Sequence, residues 1–269
     1  MADRYAVIGN PIEHSKSPQI HTAFAGQTGE EIIYGRILGE SFNDDVRTFI
    51  AEGGRGLNIT VPFKEDAWRL ADERSPRAET AGAVNTLILL DDGRLRGDNT
   101  DGVGLVRDLT ENHSVTLGGT KILLLGAGGA SRGVVRPLLE QHPQQLLIAN
   151  RTASKAVALA DELQNLGPVE GCGLEDLADM QFDIIINGTA AGLGDQVPEI
   201  PDNCLRPGGV AYDMMYSDKP TAFVRWSLEH GASKALDGLG MLVEQAAESF
   251  FLWRNVRPQT APVIRLLRP

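Results

Sequence analysis

The chain has 269 residues, enough for one large domain or two modest ones, and its 42% hydrophobic and 23% charged residues are ordinary for a soluble globular protein. A formal net charge of -11 argues against nucleic acid or an anionic membrane surface as a partner. The two cysteines, Cys172 and Cys204, lack metal-ligand spacing and read as thiols of a reduced cytoplasmic protein. No basic-then-apolar leader precedes Tyr5, and apolar runs such as 121–125 and 183–186 are strand-length, so neither a signal peptide nor a membrane span is expected.

In chain order, the apolar run from Tyr5 to Gly9 reads as a first strand ending in Gly-Asn-Pro. Ser17-Pro18 opens a helix, with Ser17 as N-cap and Pro18 at the first helical position. A second strand is expected at 32–37, a helix at 42–51 closed by Gly53-Gly54, and a third strand at 56–61. Pro62 then starts a helix running to Glu73, and strands at 84–90 and 94–98 flank Asp91-Asp92-Gly93, a hairpin signal. A helix over 102–112 follows. From Lys121 strands and helices alternate: a buried strand at 121–125, a helix to about Gln141, a strand at 146–149 and a helix capped by Thr152. Short strands at 182–187, 209–212 and 233–236 and a helix at 239–255 complete the pattern. The fold expected is α/β with two domains. An N-terminal α/β domain is followed by a doubly wound, Rossmann-like one with a parallel sheet.

Gly126-Ala127-Gly128-Gly129-Ala130-Ser131 lies where a nucleotide-binding turn belongs, after a strand and at the opening of a helix. Glycines let the backbone close on a pyrophosphate, and the helix N-terminus offers it unpaired N–H groups. The bland reading is a plain strand-to-helix turn, and Ser131 departs from the small third residue of the fingerprint. The end of the next strand discriminates further. NAD-specific sites place a carboxylate there for the ribose 2′-hydroxyl. Here the stretch is Asn150-Arg151-Thr152-Ala153-Ser154-Lys155, with none. Arg151, Thr152 and Lys155 suit a 2′-phosphate, which points to NADP, although Thr152 serves equally as a helix cap.

Three polar clusters in the first third flank helix starts. In His14-Ser15-Lys16-Ser17-Pro18, Ser17 taken alone is a cap, yet two hydroxyls beside a helix N-terminus also cradle a carboxylate. In Asn58-Ile59-Thr60-Val61-Pro62-Phe63-Lys64, a lysine in the first helical turn opposes the helix dipole by up to ~1 kcal/mol. Lys64 therefore needs compensation or has another task, and a general acid/base is one that lysine can perform. The third cluster joins Gly82-Ala83-Val84-Asn85-Thr86 with Asp98-Asn99-Thr100-Asp101-Gly102. Asp101 sits at a helix start, and spacing does not decide whether Asp98 or Asp101 is the cap.

Taken together and in order, these clusters, the Gly126–Ala130 turn, Asn150-Arg151-Thr152 and Asp237-Gly238-Leu239-Gly240-Met241-Leu242 resemble the shikimate dehydrogenase family from Tyr5 to the last helix. The resemblance implies reversible NADPH-dependent reduction of 3-dehydroshikimate to shikimate, in aromatic amino acid biosynthesis. Ser15, Ser17 and Tyr216 would hold the substrate carboxylate, and Thr60, Asn85, Asp101 and Gln245 its ring hydroxyls. Lys64 paired with Asp101 would move the proton. Gly126, Ala127, Gly128, Gly129, Ala130, Asn150, Arg151, Thr152 and Lys155 would bind NADP, with Met214 and Gly238 bordering the nicotinamide. Residues 1–101 plus 238–269 would form the substrate domain, with the C-terminal helix returning to it, and 102–237 the NADP-binding domain. A homodimer is what relatives suggest.

A relative using quinate or NAD is the nearest rival and would be expected to carry an acidic residue near Arg151; none is present. A methylenetetrahydrofolate dehydrogenase would need a different lysine motif and a pterin slot. A catalytically silent NADP(H)-sensing regulator could lose the Lys64/Asp101 pair, and both remain. The loop from Asn187 to Leu193 has Ala where such enzymes often show Ser or Pro, so its residues receive no individual roles. The histidines at 14, 21, 113, 142 and 230 show no ligand spacing, so no metal is expected.

Overall fold

The apolar run near the N-terminus forms β1 (Asp3–Gly9), buried from Tyr5 onward because a strand has a neighbour on each side. In a computed structural model describing residues 2–189 and 196–268, β1 pairs in parallel with β2 (Ile32–Leu38) and β3 (Gly54–Ile59). Strands β5 (Thr86–Leu89) and β6 (Leu95–Asp98) extend this sheet antiparallel, and the two-residue β4 (Glu73–Arg74) closes it in the order β2-β1-β3-β5-β6-β4. The hairpin expected at Asp91-Asp92-Gly93 is present, with Gly93 at φ +86° where a Cβ would be strained.

Two compact units divide the chain, Met1–Gly104 with Val243–Pro269, and Leu105–Leu242. In the first, helices α1 (Ser17–Thr28), α2 (Phe42–Ala51), α3 (Lys64–Leu70) and α4 (Pro76–Ala81) join the sheet. Helix α5 (Asp101–Arg107) follows and widens into a π-helical turn at Asp108–Asn112. Leu57, Ile59, Val46, Phe49 and Val84 build one core of this unit. Phe24, His21, Tyr34, Phe250 and Trp253 stack in an aromatic cluster.

In the second unit β7 (Lys121–Leu125), β8 (Gln145–Asn150), β9 (Val169–Gly173), β10 (Phe182–Asn187), β11 (Leu205–Asp213) and β12 (Lys234–Leu236) are all parallel. Residues 122–125 are fully buried, as the middle of a parallel sheet covered on both faces requires. The order β12-β11-β10-β7-β8-β9 is the doubly wound one, with its reversal at the β7/β10 neighbours. Ligands of such sheets bind beyond the strand C-termini at that reversal, where Gly126 follows β7 and Gly188 follows β10. Helices α6 (Gly129–Leu139), α7 (Ala153–Leu163) and α8 (Ala222–Glu229) belong to this unit, and α9 (Leu239–Arg254) and α10 (Ala261–Leu267) follow in chain order, α10 lying in the first unit.

Several expected bounds shift. Helix α1 begins at Ser17 itself, so Ser17 is not its cap; Lys16 holds that position without a side-chain bond. Helix α3 starts at Lys64, because Phe63 N–H turns back to the Thr60 carbonyl, and it stops at Leu70, after which Glu73–Arg74 pairs with β6. Strands β4 and β9 and helices α4 and α10 have no counterpart among the elements expected from the sequence. Of the loop from Asn187, Ala190–Leu193 lies outside the described residues.

Candidate active site

In the first unit the site grows from the start of two helices. Lys64 occupies the first position of α3, where the dipole disfavours a cation, and its Nζ lies 2.6 Å from Asp101 Oδ2. Glu65 and Asp66 share that first turn and offset the dipole. The pair is partly covered, the lysine side chain 31% and the aspartate 14% exposed, so it is both strengthened by reduced screening and reachable by a small molecule.

Asp101 is free to face the lysine because other residues cap its helix. Asn99 Oδ1 accepts the Asp101 N–H at 3.2 Å, and the Thr100 carbonyl accepts from Gly104. Asp98 is taken up by Arg77, Ser75 and the Asn99 N–H. The capping question is thus settled in favour of Asn99 and Thr100.

The second oxygen of Asp101 accepts Asn85 Nδ2 at 2.8 Å. Asn85 is buried, and its amide can point only one way. Its Oδ1 accepts the Thr100 N–H at 2.9 Å, which forces Nδ2 toward Asp101 Oδ1 and, at 3.3 Å, Gln245 Oε1. Four predicted residues, Lys64, Asn85, Asp101 and Gln245, therefore converge. Behind them stand side chains to which the sequence assigns no role. Asn58 Nδ2 donates to Ser249 Oγ at 3.0 Å and to the Asn85 carbonyl at 3.3 Å, Ser249 and Thr86 share a 2.7 Å hydroxyl contact, and Tyr34 donates to Asn58 Oδ1 at 2.7 Å.

Ser15 and Ser17 lie at the start of α1, with Ser15 Oγ accepting the Ser17 N–H at 3.3 Å and Ser17 in contact with the Tyr34 phenol. Arg36 fixes this segment through the Ser15 carbonyl at 2.6 Å. Thr60 follows β3, held by its N–H to the Ile8 carbonyl.

In the second unit a cleft of about 960 Å³ is lined by Gly126–Ala130, Asn150, Arg151, Gly188 and Thr189, among others. Gly126 has φ +101°, and α6 starts at Gly129 with no acidic residue in its first turn. Asn150 Nδ2 donates to the Thr152 carbonyl, shaping the β8–α7 turn. Thr152 occupies the cap position of α7, but its hydroxyl makes no capping bond. Arg151 and Lys155 are exposed and have no ion-pair partner among the described residues. Ser131 is fully buried, and the Gly188 backbone makes room for it: a Cβ on Gly188 would lie 2.5 Å from Ser131 Oγ. The fingerprint departure is thus matched by a glycine on the neighbouring strand end.

Met214 and Gly238 also meet, since a Cβ on Gly238 would overlap the Met214 carbonyl, and Gly238 N–H donates to the Met215 carbonyl at 3.0 Å. Tyr216 ends the turn after β11, its phenol pKa raised by burial, which keeps it a neutral donor. No group of three or more His, Cys, Asp or Glu among the described residues is placed to hold a metal ion.

Family models match along the chain in the order this geometry follows. The shikimate dehydrogenase substrate binding domain matches residues 7–87, shikimate / quinate 5-dehydrogenase residues 108–193, and the shikimate 5'-dehydrogenase C-terminal domain residues 238–268. A shikimate dehydrogenase (NADP(+)) from Alkalilimnicola ehrlichii is 59% identical, with 100% of each chain covered. The chain belongs to the shikimate dehydrogenase family.

Solved structures of similar proteins agree with this membership. The Ael1 enzyme from Pseudomonas putida is 45% identical with a TM-score of 0.93, covering 100% of this chain and 99% of its own. A shikimate 5-dehydrogenase from Thermus thermophilus, solved with NADP(H) and shikimate, is 32% identical with a TM-score of 0.85, covering 98% and 97%. Within this shikimate dehydrogenase fold, Asn58 and Thr100 stand inside the family's motifs, and only their buried contacts reveal what they do. Ser249 had one available signal, its place four residues after Gln245 on the same helix face.

Proposed function

We propose that the protein is an NADP-dependent shikimate dehydrogenase that interconverts shikimate and 3-dehydroshikimate, a step of aromatic amino acid biosynthesis, with Lys64 and Asp101 handling the proton. The observation that carries this reading is the 2.6 Å contact of Lys64 with an Asp101 carboxylate whose other oxygen is held by Asn85.

The cofactor fits the residues present. The positive-φ Gly126 and the α6 N-terminus suit a pyrophosphate, and Arg151 and Lys155, without ion-pair partners among the described residues, suit a 2′-phosphate. No carboxylate follows β8 before Lys155 to repel that phosphate. When bound, NADPH supplies the hydride that reduces the substrate carbonyl. Lys64, as an ammonium, stabilises the oxygen on which charge develops and donates a proton to it. Asp101 orients that ammonium, and Asn85 keeps Asp101 from turning away. Thr60, Asn85, Asp101 and Gln245 would take the ring hydroxyls, and Ser15, Ser17 and Tyr216 the carboxylate. Met214 and Gly238 would border the nicotinamide. The reading includes a cytoplasmic enzyme acting as a homodimer, which cell fractionation and sedimentation equilibrium test.

The direct experiment crosses shikimate and quinate with NADP⁺ and NAD⁺. Reduction of NADP⁺ with shikimate is expected to dominate. Turnover with quinate alone would replace this reading with that of a quinate enzyme, and nucleotide binding without any turnover with that of a sensor.

A further inference from the structure

At the C-terminal ends of β10 and β11 one buried carboxylate joins two turns. Asp213, fully buried, is the last residue of β11. Its Oδ1 accepts the Met215 N–H at 3.1 Å and Asn187 Nδ2 at 3.2 Å, and its Oδ2 accepts the Thr221 hydroxyl at 2.6 Å. All three partners donate, so the carboxylate acts only as an acceptor. Burial holds its pKa above the ordinary carboxylate value, and the bonds from Thr221, Met215 and Asn187 oppose that rise without cancelling it.

The partners carry the effect outward. Asn187 ends β10; its Oδ1 accepts the Thr189 N–H at 3.1 Å and the Thr189 hydroxyl at 2.7 Å, and its carbonyl accepts the Met214 N–H at 2.9 Å. The Gly188–Thr189 turn and the Met214–Met215 turn are thus tied to each other as well as to Asp213. Between them, a Cβ on Gly188 would lie 3.2 Å from Met214 Sδ and 2.5 Å from Ser131 Oγ, so Met214 is set beside the turn that opens α6. Gly238 closes the other side through the Met215 carbonyl. The Gly126–Ala130 turn and Arg151 hang instead on β7 and β8, and Asp213 bonds to neither.

We infer that Asp213 is a positioning residue for the nicotinamide end of the cofactor: through Asn187 and the Met215 N–H it holds Met214 and the Gly188–Thr189 turn in register, leaving the phosphate anchors to other elements. This rests on the reading that Met214 borders the nicotinamide.

Asp213→Ala should lower kcat on the order of 10-fold or more, because small misplacements of a reacting group are costly. It should leave the affinity for 2′,5′-ADP, which lacks the nicotinamide, within about 3-fold of the wild type. The emission gained by NADPH on binding should fall in the same variant. Asp213→Asn, which retains an oxygen for Asn187 and Met215, should recover most of both. Thr221→Val touches only the α8 side of the carboxylate and should lower stability while sparing kcat. If Asp213→Ala does not fold, Asn187→Ala is expected to show the same separation of NADPH emission from 2′,5′-ADP affinity.

Equal losses of 2′,5′-ADP affinity and NADPH emission, or a Thr221→Val variant as impaired in kcat as Asp213→Ala, would overturn the inference in favour of a general structural role. The emission and 2′,5′-ADP readouts need no substrate. A wild type inactive on shikimate would therefore refute the functional reading while Asp213 was still being judged.

Discussion

Lys64 is placed where a helix disfavours it, and the chain accommodates it through Asp101 at 2.6 Å and two acidic neighbours in its first turn. Such an arrangement makes sense for a cation that must be aimed. Lys64→Ala is expected to lower kcat on the order of 10²–10⁴-fold with a much smaller change in shikimate KM, measured by steady-state kinetics at saturating NADP⁺. A variant with near-wild-type turnover would remove Lys64 from the proton path. In the second unit, Arg151 has no ion-pair partner among the described residues and stands in a turn without a carboxylate. Arg151→Ala should reduce kcat/KM for NADP⁺ by roughly 10–100-fold, the worth of one charge-assisted contact to a phosphate, and leave the rate with NAD⁺ nearly unchanged. An equal loss with both nucleotides would mean that the guanidinium does not read the 2′-phosphate.

At the scale of elements, the packing of α6 against the strand ends shows how sequence and fold constrain each other. Ser131 points its hydroxyl into a place with no hydrogen-bond partner among the described residues, in the space that Gly188 leaves open. Ser131→Ala should therefore be neutral or stabilising by about 1 kcal/mol in urea unfolding, since a buried unpaired hydroxyl is removed. Gly188→Ala should be destabilising by roughly 1–3 kcal/mol, and less so when combined with Ser131→Gly. Additive effects in that double variant would show that the two positions do not compete for space. Elements with strong local signals were legible: β7 and the Gly126 turn, the β5–β6 hairpin, and the full span of α2. Strand β9 was not, because Gly171 and Gly173 interrupt its apolar pattern; Gly171 is there to admit the α7 backbone at Ala156, a tertiary reason invisible locally. Helix α4 was missed although Ser75-Pro76 repeats the Ser-Pro opening of α1, and there Ser75 does accept the Ala78 N–H. The first-unit cluster was legible as motifs, yet its wiring was not. Asn58 and Ser249 are 191 positions apart, and nothing local announces their bond.

At the scale of the molecule, His21 makes one contribution to acid sensitivity. His21 is fully buried, stacked on Tyr34 at 4.3 Å and flanked by Phe24, Phe250 and Trp253, and desolvation lowers its pKa to about 3. Its folded pKa lies below the unfolded value, so as pH falls below the ordinary imidazole range the unfolded chain takes up a proton that the folded chain refuses. The stability it contributes is complete at neutral pH and is lost progressively toward about pH 3, at roughly 1.4 kcal/mol per pH unit. His21→Phe should flatten the pH dependence of urea unfolding between about pH 6 and 4 relative to the wild type. Parallel curves for the two proteins would show that His21 is protonated in the native state.

The first unit is assembled from both ends of the polypeptide: Trp253 stacks on Tyr5 and donates to the Leu87 carbonyl, Arg254 pairs with Asp3 and Glu30, and Ser249 holds Asn58. During synthesis the ribosome therefore releases β1 and its aromatic neighbours long before their partners exist. The second unit, contiguous in the message, has all its described strands while the first is still waiting for its last helices. A nascent chain stalled short of Val243 would expose Tyr5, His21 and Asn58 to whatever chaperone meets it first.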